Sequence, residues 1–302
     1  MNSDHLWSEH DGAGLLIAPG PDSHKYSRGV LGLRTGSAAY PGAAVLGAEA
    51  AWHTGIGSVR FIYQIDDRDP PFGLPTPTAA VLASRPETVF STDTAADRDK
   101  CDAWVIGSGT DSTTRSFAET TALTEILGGD SPVVVDAGAL DLLTVTSVKA
   151  PVILTTHFGE FQHLLAASGL DDIDGSDHAA RVTAAQILAE RLGSTVLLKG
   201  SRTLAAAPSG EWYEYGPSTP WLATAGTGDV LAGALGALVA THAAHSTVDH
   251  HRLAQLGVTA AMLHDHAARA AASATVTTAQ GGPVTALAVA RSLSAAVARL
   301  LG

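Results

Sequence analysis

The sequence holds a single cysteine among 302 residues, so no internal disulfide framework can staple it, and a reducing cytoplasm is the expected setting. Cys101 itself reads as a small apolar residue near a strand start. Aromatic residues are scarce at 5%, which leaves Ala, Val and Leu to build the core. Basic residues are few as well. Eighteen Lys and Arg against thirty Asp and Glu give a net charge of -12, with no basic run, and that excludes a nucleic-acid footprint. No charge-free apolar stretch reaches the roughly 18 residues a membrane span needs, and the opening MNSDHLWSEHDGAG has neither the basic nor the apolar region of a signal peptide.

Three common motifs are also missing. There is no Walker A sequence and no G-x-S-x-G elbow. G-x-G-x-x-G fails at each of its three near matches, at Arg60, Ser112 and Leu231, where the last glycine should stand. What is present is a 45% hydrophobic, 16% charged chain, the profile of a globular protein long enough to bury a sizeable core.

Short apolar runs bounded by turn residues recur at 30–33, 58–65, 103–106, 133–135, 152–154 and 195–198, as buried parallel strands do. Helical segments fall between them at 43–51, 114–127, 159–168 and 179–192, and the chain from Gly226 onward is largely helical. The alternation predicts a three-layer α/β/α sandwich with a mostly parallel central sheet, one domain over 1–302. Residues 1–28 read as a capping arm, and the Asp- and Pro-rich 66–77 as a surface excursion.

Chemistry concentrates at the predicted strand ends. In TAGTGDVLAG (224–233), a glycine turn opens a helix whose unpaired amides make an anion hole, and Asp229 in its first turn can act as general base or as an ordinary cap. In VLLKGSRT, Lys199 and the free amides after it sit at the carboxyl end of a strand, where open α/β sheets bind ligands. In LTTHFGEF, His157 can donate to a ligand carbonyl, while Glu160 either orders a magnesium water or caps the next helix. DAGAL (136–140) and VIGSG (105–109) end two further strands, so that four strand ends describe one crevice. His242, His245, His250 and His251 read as a solvated stretch between helices, and His264 and His266 are given no role.

The ordered set SHKYSRG, GSAAYPGAAVLGAEAAWHTGIG, VIGSG, VVVDAGALDLL, VILTTHFGEF, VLLKGSRT and TAGTGDVLAG, from about Ser23 to Ala272, resembles the ADP-dependent NAD(P)H-hydrate dehydratases of the ribokinase-like superfamily. The resemblance implies a ribokinase-type sandwich, often a homotetramer. It implies that Ala43, Gly109, His157 and Asp229 contact hydrated NADH or NADPH. Lys199, Gly200, Ser201, Arg202, Thr203 and Gly228 would hold ADP (or ATP) as co-substrate, with Mg²⁺. Asp229 would help activate the C6 hydroxyl for phosphorylation, phosphate would leave, and the nicotinamide double bond would re-form. No residue is assigned as a metal ligand. The chain departs from the family pattern at Thr35 (usually Gly), Thr110-Asp111 (Leu-Gly), Gly138 (Asp), Asp141 (Asn) and Phe158 (Pro). A small-molecule kinase of the same superfamily and a nucleotide-binding homologue without turnover are the alternatives, and TAGTGDVLAG alone does not separate them.

Overall fold

A computed structural model describes residues 5–63, 73–273 and 281–302. Nine strands form one continuous sheet: β1 (Val30–Arg34), β2 (Ser58–Ile62), β3 (Val89–Ser91), β4 (Ala103–Ile106), β5 (Val133–Asp136), β6 (Val152–Thr156), β7 (Thr195–Leu198), β8 (Thr203–Ala206) and β9 (Trp212–Tyr215). Their order is β3-β2-β1-β4-β5-β6-β7-β8-β9; the first seven in space run parallel, β8 pairs antiparallel to β7, and β9 antiparallel to β8. The expected six strands are all present, the 58–65 run as Ser58–Ile62 with residues 64 and 65 outside the described residues. β3, β8 and β9 are additions, too short (β3) or too small in side chain (β8) to stand out as apolar runs. Part of the predicted 66–77 excursion, residues 66–72, lies outside the described residues, and Pro77 already opens a helix.

Along the chain the helices are α1 (Glu9–Ala13), α2 (Pro41–Thr54), α3 (Pro77–Ser84), α4 (Ala95–Arg98), α5 (Phe117–Leu127), α6 (Phe158–Ala167), α7 (His178–Leu192), α8 (Thr227–Ala243), α9 (His250–Ser273) and α10 (Ala286–Leu301). Alternate strand residues face opposite ways, and two cores result. Leu31, Leu33, Val105, Val134, Ile153 and Leu197 pack under α2, α8, α9 and α10. Val30, Trp104, Ile106, Val133, Val135 and Val196 pack under α5, α6 and α7. This is the predicted three-layer sandwich.

Helix starts sit where side-chain caps put them. Helix α5 begins at Phe117 rather than at 114, because Ser116 accepts from the Glu119 amide. Among the described helices, α2 and α8 stand out: neither start is covered by a side-chain cap. The two pack so closely that a Cβ on Gly233 would lie 2.3 Å from the Gly47 carbonyl oxygen, which only glycine permits. The N-terminal arm covers the far edge, pairing Leu6 with Glu214 of β9, and so blunts an open strand.

Candidate active site

Between β1 and β4 the strand order reverses, and the carboxyl ends of the strands there form the crevice such sheets offer to ligands. The close approach of α2 and α8 places their uncapped amides along that edge. Helix α8 starts from Gly226, held at φ +87°, and presents Gly228 and Asp229 in its first turn. With the macrodipole behind it, that turn favours an anion.

The Lys199 ammonium reaches toward the same turn, so that a Cβ on Gly228 would lie 3.7 Å from Nζ. It donates to Asp136 Oδ1 at 3.1 Å. Asp136, at the end of β5 and 3% exposed, also accepts from Ser108 Oγ at 2.9 Å and Thr155 Oγ1 at 2.6 Å. Three strand ends thereby fix one carboxylate, and the carboxylate fixes the lysine. Burial alone would lower the Lys199 pKa, but Asp136, Glu160 and Asp229 outweigh it, and the ammonium stays charged with its pKa raised. The Asp229 carboxyl is pushed up to about 6, first by burial and then by the negative Asp136, with Lys199 opposing. A carboxyl tuned toward neutrality in a crevice is suited to taking a proton.

A cavity of about 510 Å³ runs from this point and gathers His157, Lys199, Gly200, Ser201, Thr203 and Gly228. Its far wall is apolar, from Pro220, Leu222, Leu231 and Ala261. Arg202 is not brought in: its guanidinium pairs with the buried Glu214 at 2.8 Å, and only its backbone belongs to the loop. The side chain of His157 caps α6, Nδ1 accepting from the Gly159 and Glu160 amides, which leaves Nε2 as the donor of the neutral ring. Glu160 completes the capping box by accepting from the His157 amide, so of its two readings the structure favours the cap.

Ala43 and Gly109 meet on the other side of the switch point. Gly109 has φ +66°, and a Cβ there would lie 2.3 Å from that of Ala43. Asp111 folds back on its own loop, accepting from the amide and hydroxyl of Thr113 at 2.8 and 2.7 Å. Beneath it a smaller cavity of about 190 Å³ is lined by Arg34, Thr110, Asp111 and Arg115. Arg34 is fully buried and forks onto Glu119 at 2.7 and 2.6 Å.

The sequence reading named DAGAL without singling out Asp136, and gave His264 no role. Both belong to the site, since His264 walls the large cavity. The signal for Asp136 was a carboxylate closing an apolar strand; none marked His264. The stretch with His242, His250 and His251 is not merely solvated. His242 bonds the Leu15 carbonyl at 2.8 Å, and His250 Nδ1 lies 3.1 Å from Thr195 Oγ1. Cys101 is buried as expected, its thiol pushed up to about 12 by desolvation.

A mostly parallel sheet, open anion-binding helix starts at its switch point and a long cavity beside them define a ribokinase-like nucleotide-site architecture. Solved structures agree. An ADP/ATP-dependent NAD(P)H-hydrate dehydratase from Bacillus subtilis, co-crystallized with ATP/Mg²⁺, is 25% identical with a TM-score of 0.76, each chain covered to 98%. A ribokinase-like superfamily protein from Enterococcus faecalis shares the fold at 22% identity and a TM-score of 0.75, over 98% of this chain and 96% of that one. The family model described as NAD(P)H-hydrate dehydratase matches residues 31–285, and the chain belongs to that family. It is 41% identical over 236 residues to the bifunctional NAD(P)H-hydrate repair enzyme Nnr of Mycobacterium tuberculosis, covering 76% of this chain and 45% of that protein. To the ADP-dependent (S)-NAD(P)H-hydrate dehydratase of Neisseria meningitidis serogroup B it is 38% identical over 236 residues, 75% of this chain and 74% of that one. The chain thus spans about half the length of the bifunctional relatives it matches.

Proposed function

We propose that this chain dehydrates the hydrated forms of NADH or NADPH, driven by ADP or ATP, and so repairs the S-epimer. The observation that carries the reading is the meeting of Asp229, Lys199 and the open start of α8 at one end of a nucleotide-sized cavity. Hydroxide is a poor leaving group and phosphate a good one. The nucleotide would lie along the cavity with its terminal phosphates at Lys199, Gly200 and the Gly228 amide. The substrate would approach from Ala43 and Gly109, with His157 Nε2 donating to it. Asp229 takes the proton of the C6 hydroxyl as that oxygen attacks the terminal phosphorus, releasing AMP from ADP. The C6–O bond then breaks, phosphate departs, C5 loses a proton, and the C5–C6 double bond is restored.

The described residues offer no group of three or more His, Cys, Asp or Glu able to hold a metal ion, and the carboxylates of Asp136 and Glu160 are committed to the hydrogen bonds above. Mg²⁺ is commonly bound by nucleotide phosphates with one or two carboxylates rather than by a protein cage, so the nucleotide would bring the metal, and no step above is routed through it. The resemblance also implies a homo-oligomer in the cytoplasm. No described helix is long and apolar enough to cross a membrane.

Phosphorus NMR of a reaction with hydrated NADH and ADP tests the proposal. It expects one AMP and one free phosphate per NADH formed. A stable phosphate ester would make the chain a kinase instead, and an unchanged ADP spectrum with nucleotide bound would make it a binding protein.

A further inference from the structure

Residues 199–202 return the chain from β7 to β8. Lys199, Gly200, Ser201 and Thr203 line the large cavity, but the Arg202 guanidinium leaves it and donates to Glu214 Oε1 at 2.8 Å. Glu214 stands opposite Leu204 in the β8–β9 ladder, on the face that α7 covers, and is 3% exposed. His178 Nε2, at the start of α7, lies 2.6 Å from its other carboxylate oxygen. The Glu214 carbonyl accepts from the Trp7 amide at 2.8 Å, so the N-terminal arm holds the same residue by its backbone. Glu214 is therefore a fixed point in the sheet, and Arg202 is the side chain moored to it.

A loop that grips phosphate with its amides binds best when those amides are already in place, because ordering them on binding costs affinity. Both ends of this loop are tied by buried carboxylates. Asp136 holds Lys199 at the first residue, and Glu214 holds Arg202 at the last. Gly200 and Ser201 span the two, steadied by the Ser218 amide donating to the Ser201 carbonyl at 2.8 Å. Arg181 adds a bond to the Arg202 carbonyl at 3.1 Å.

We propose that Glu214 is a positioning residue for the nucleotide: through Arg202 it sets the backbone of Gly200 and Ser201 against the terminal phosphates, and the guanidinium itself does not touch them. The inference rests on the nucleotide reading of the cavity given above.

Glu214→Leu tests it. The variant leaves no buried charge behind, and Arg202 and His178, each about a third exposed, can turn to water. Replacing a buried ionic group by an apolar one of similar volume is often neutral or stabilising, so the melting temperature without nucleotide should not fall. Affinity for ADP should nevertheless drop about tenfold, and in steady-state kinetics the loss should fall on KM for ADP rather than on kcat. Adding Arg202→Met to Glu214→Leu should cost less than a further twofold, since the mooring is already gone. Glu214→Gln, which keeps the size and one acceptor, should lose about threefold, and it supplies the comparison should the leucine variant not fold. Unchanged ADP affinity in a folded Glu214 variant would overturn the inference and leave the nucleotide reading intact. A large further loss on adding Arg202→Met would also overturn it, by making the guanidinium a direct ligand. Failure of the unaltered protein to bind ADP would overturn both.

Discussion

Asp229, Lys199 and Asp136 form a charge arrangement in which each residue sets the state of the next. Asp229→Asn keeps the shape and removes the base, so turnover should fall by about two to four orders of magnitude while ADP affinity changes little; steady-state kinetics beside an ADP titration would show the split. The pH profile separates the two neighbours. In the unaltered enzyme the acid limb of kcat/KM should lie near pH 6, the pKa of Asp229. Asp136→Asn removes a negative charge that raises this pKa, so the limb should move to lower pH. Lys199→Ala removes the positive charge that lowers it, so the limb should move up, and ADP binding should weaken as well. Limbs that do not move, or that move in the same direction, would refute this arrangement. From sequence, Asp229 and Lys199 were legible because glycines frame them. Asp136 was not, because its importance lies in donors from Ser108, Thr155 and Lys199, 19 to 63 residues away.

At the level of elements, apolar periodicity sufficed for the parallel strands and most helices. It failed where a cap decides the boundary, as Ser116 does for α5, and where small residues such as those of TLAA make a strand by pairing and burial without an apolar run that stands out. Departures from the family pattern also resolve at this scale. A Cβ on Gly138 would lie 2.3 Å from the Thr110 carbonyl oxygen, so the glycine and the unusual Thr110 loop belong together. Arg115 locks that pairing by forking onto Asp141 at 3.1 and 2.6 Å. Gly138→Ala should therefore cost about 1–3 kcal/mol, seen as a lower midpoint in chemical denaturation. Asp265 holds a segment that lines the cavity, accepting from the Thr219 amide at 2.6 Å and from Tyr215 Oη at 2.9 Å. Asp265→Ala should loosen the 216–223 segment and raise KM for ADP about tenfold with kcat little changed. An unaltered KM would mean the segment holds its shape without Asp265.

Across the whole molecule, the site is made at some expense of stability. Asp229 is protonated more readily folded, near 6, than unfolded, near 3.8, so the folded state loses stability as pH rises through that window. Asp229→Asn has no charge to bury. Its melting temperature should exceed that of the unaltered protein above pH 6, and the gain should vanish below about pH 4. The layered architecture was legible in the sequence because strand and helix alternate. Which strands are neighbours was not, because the reversal between β1 and β4 depends on pairings across some 70 residues. That reversal makes the crevice, and with it the candidate chemistry.

The most direct measurement is absorbance at 340 nm of hydrated NADH mixed with the protein and ADP, against a control without nucleotide. The account predicts a rise that requires the nucleotide and is lost in Asp229→Asn. A flat trace, with ADP shown separately to bind, would contradict it.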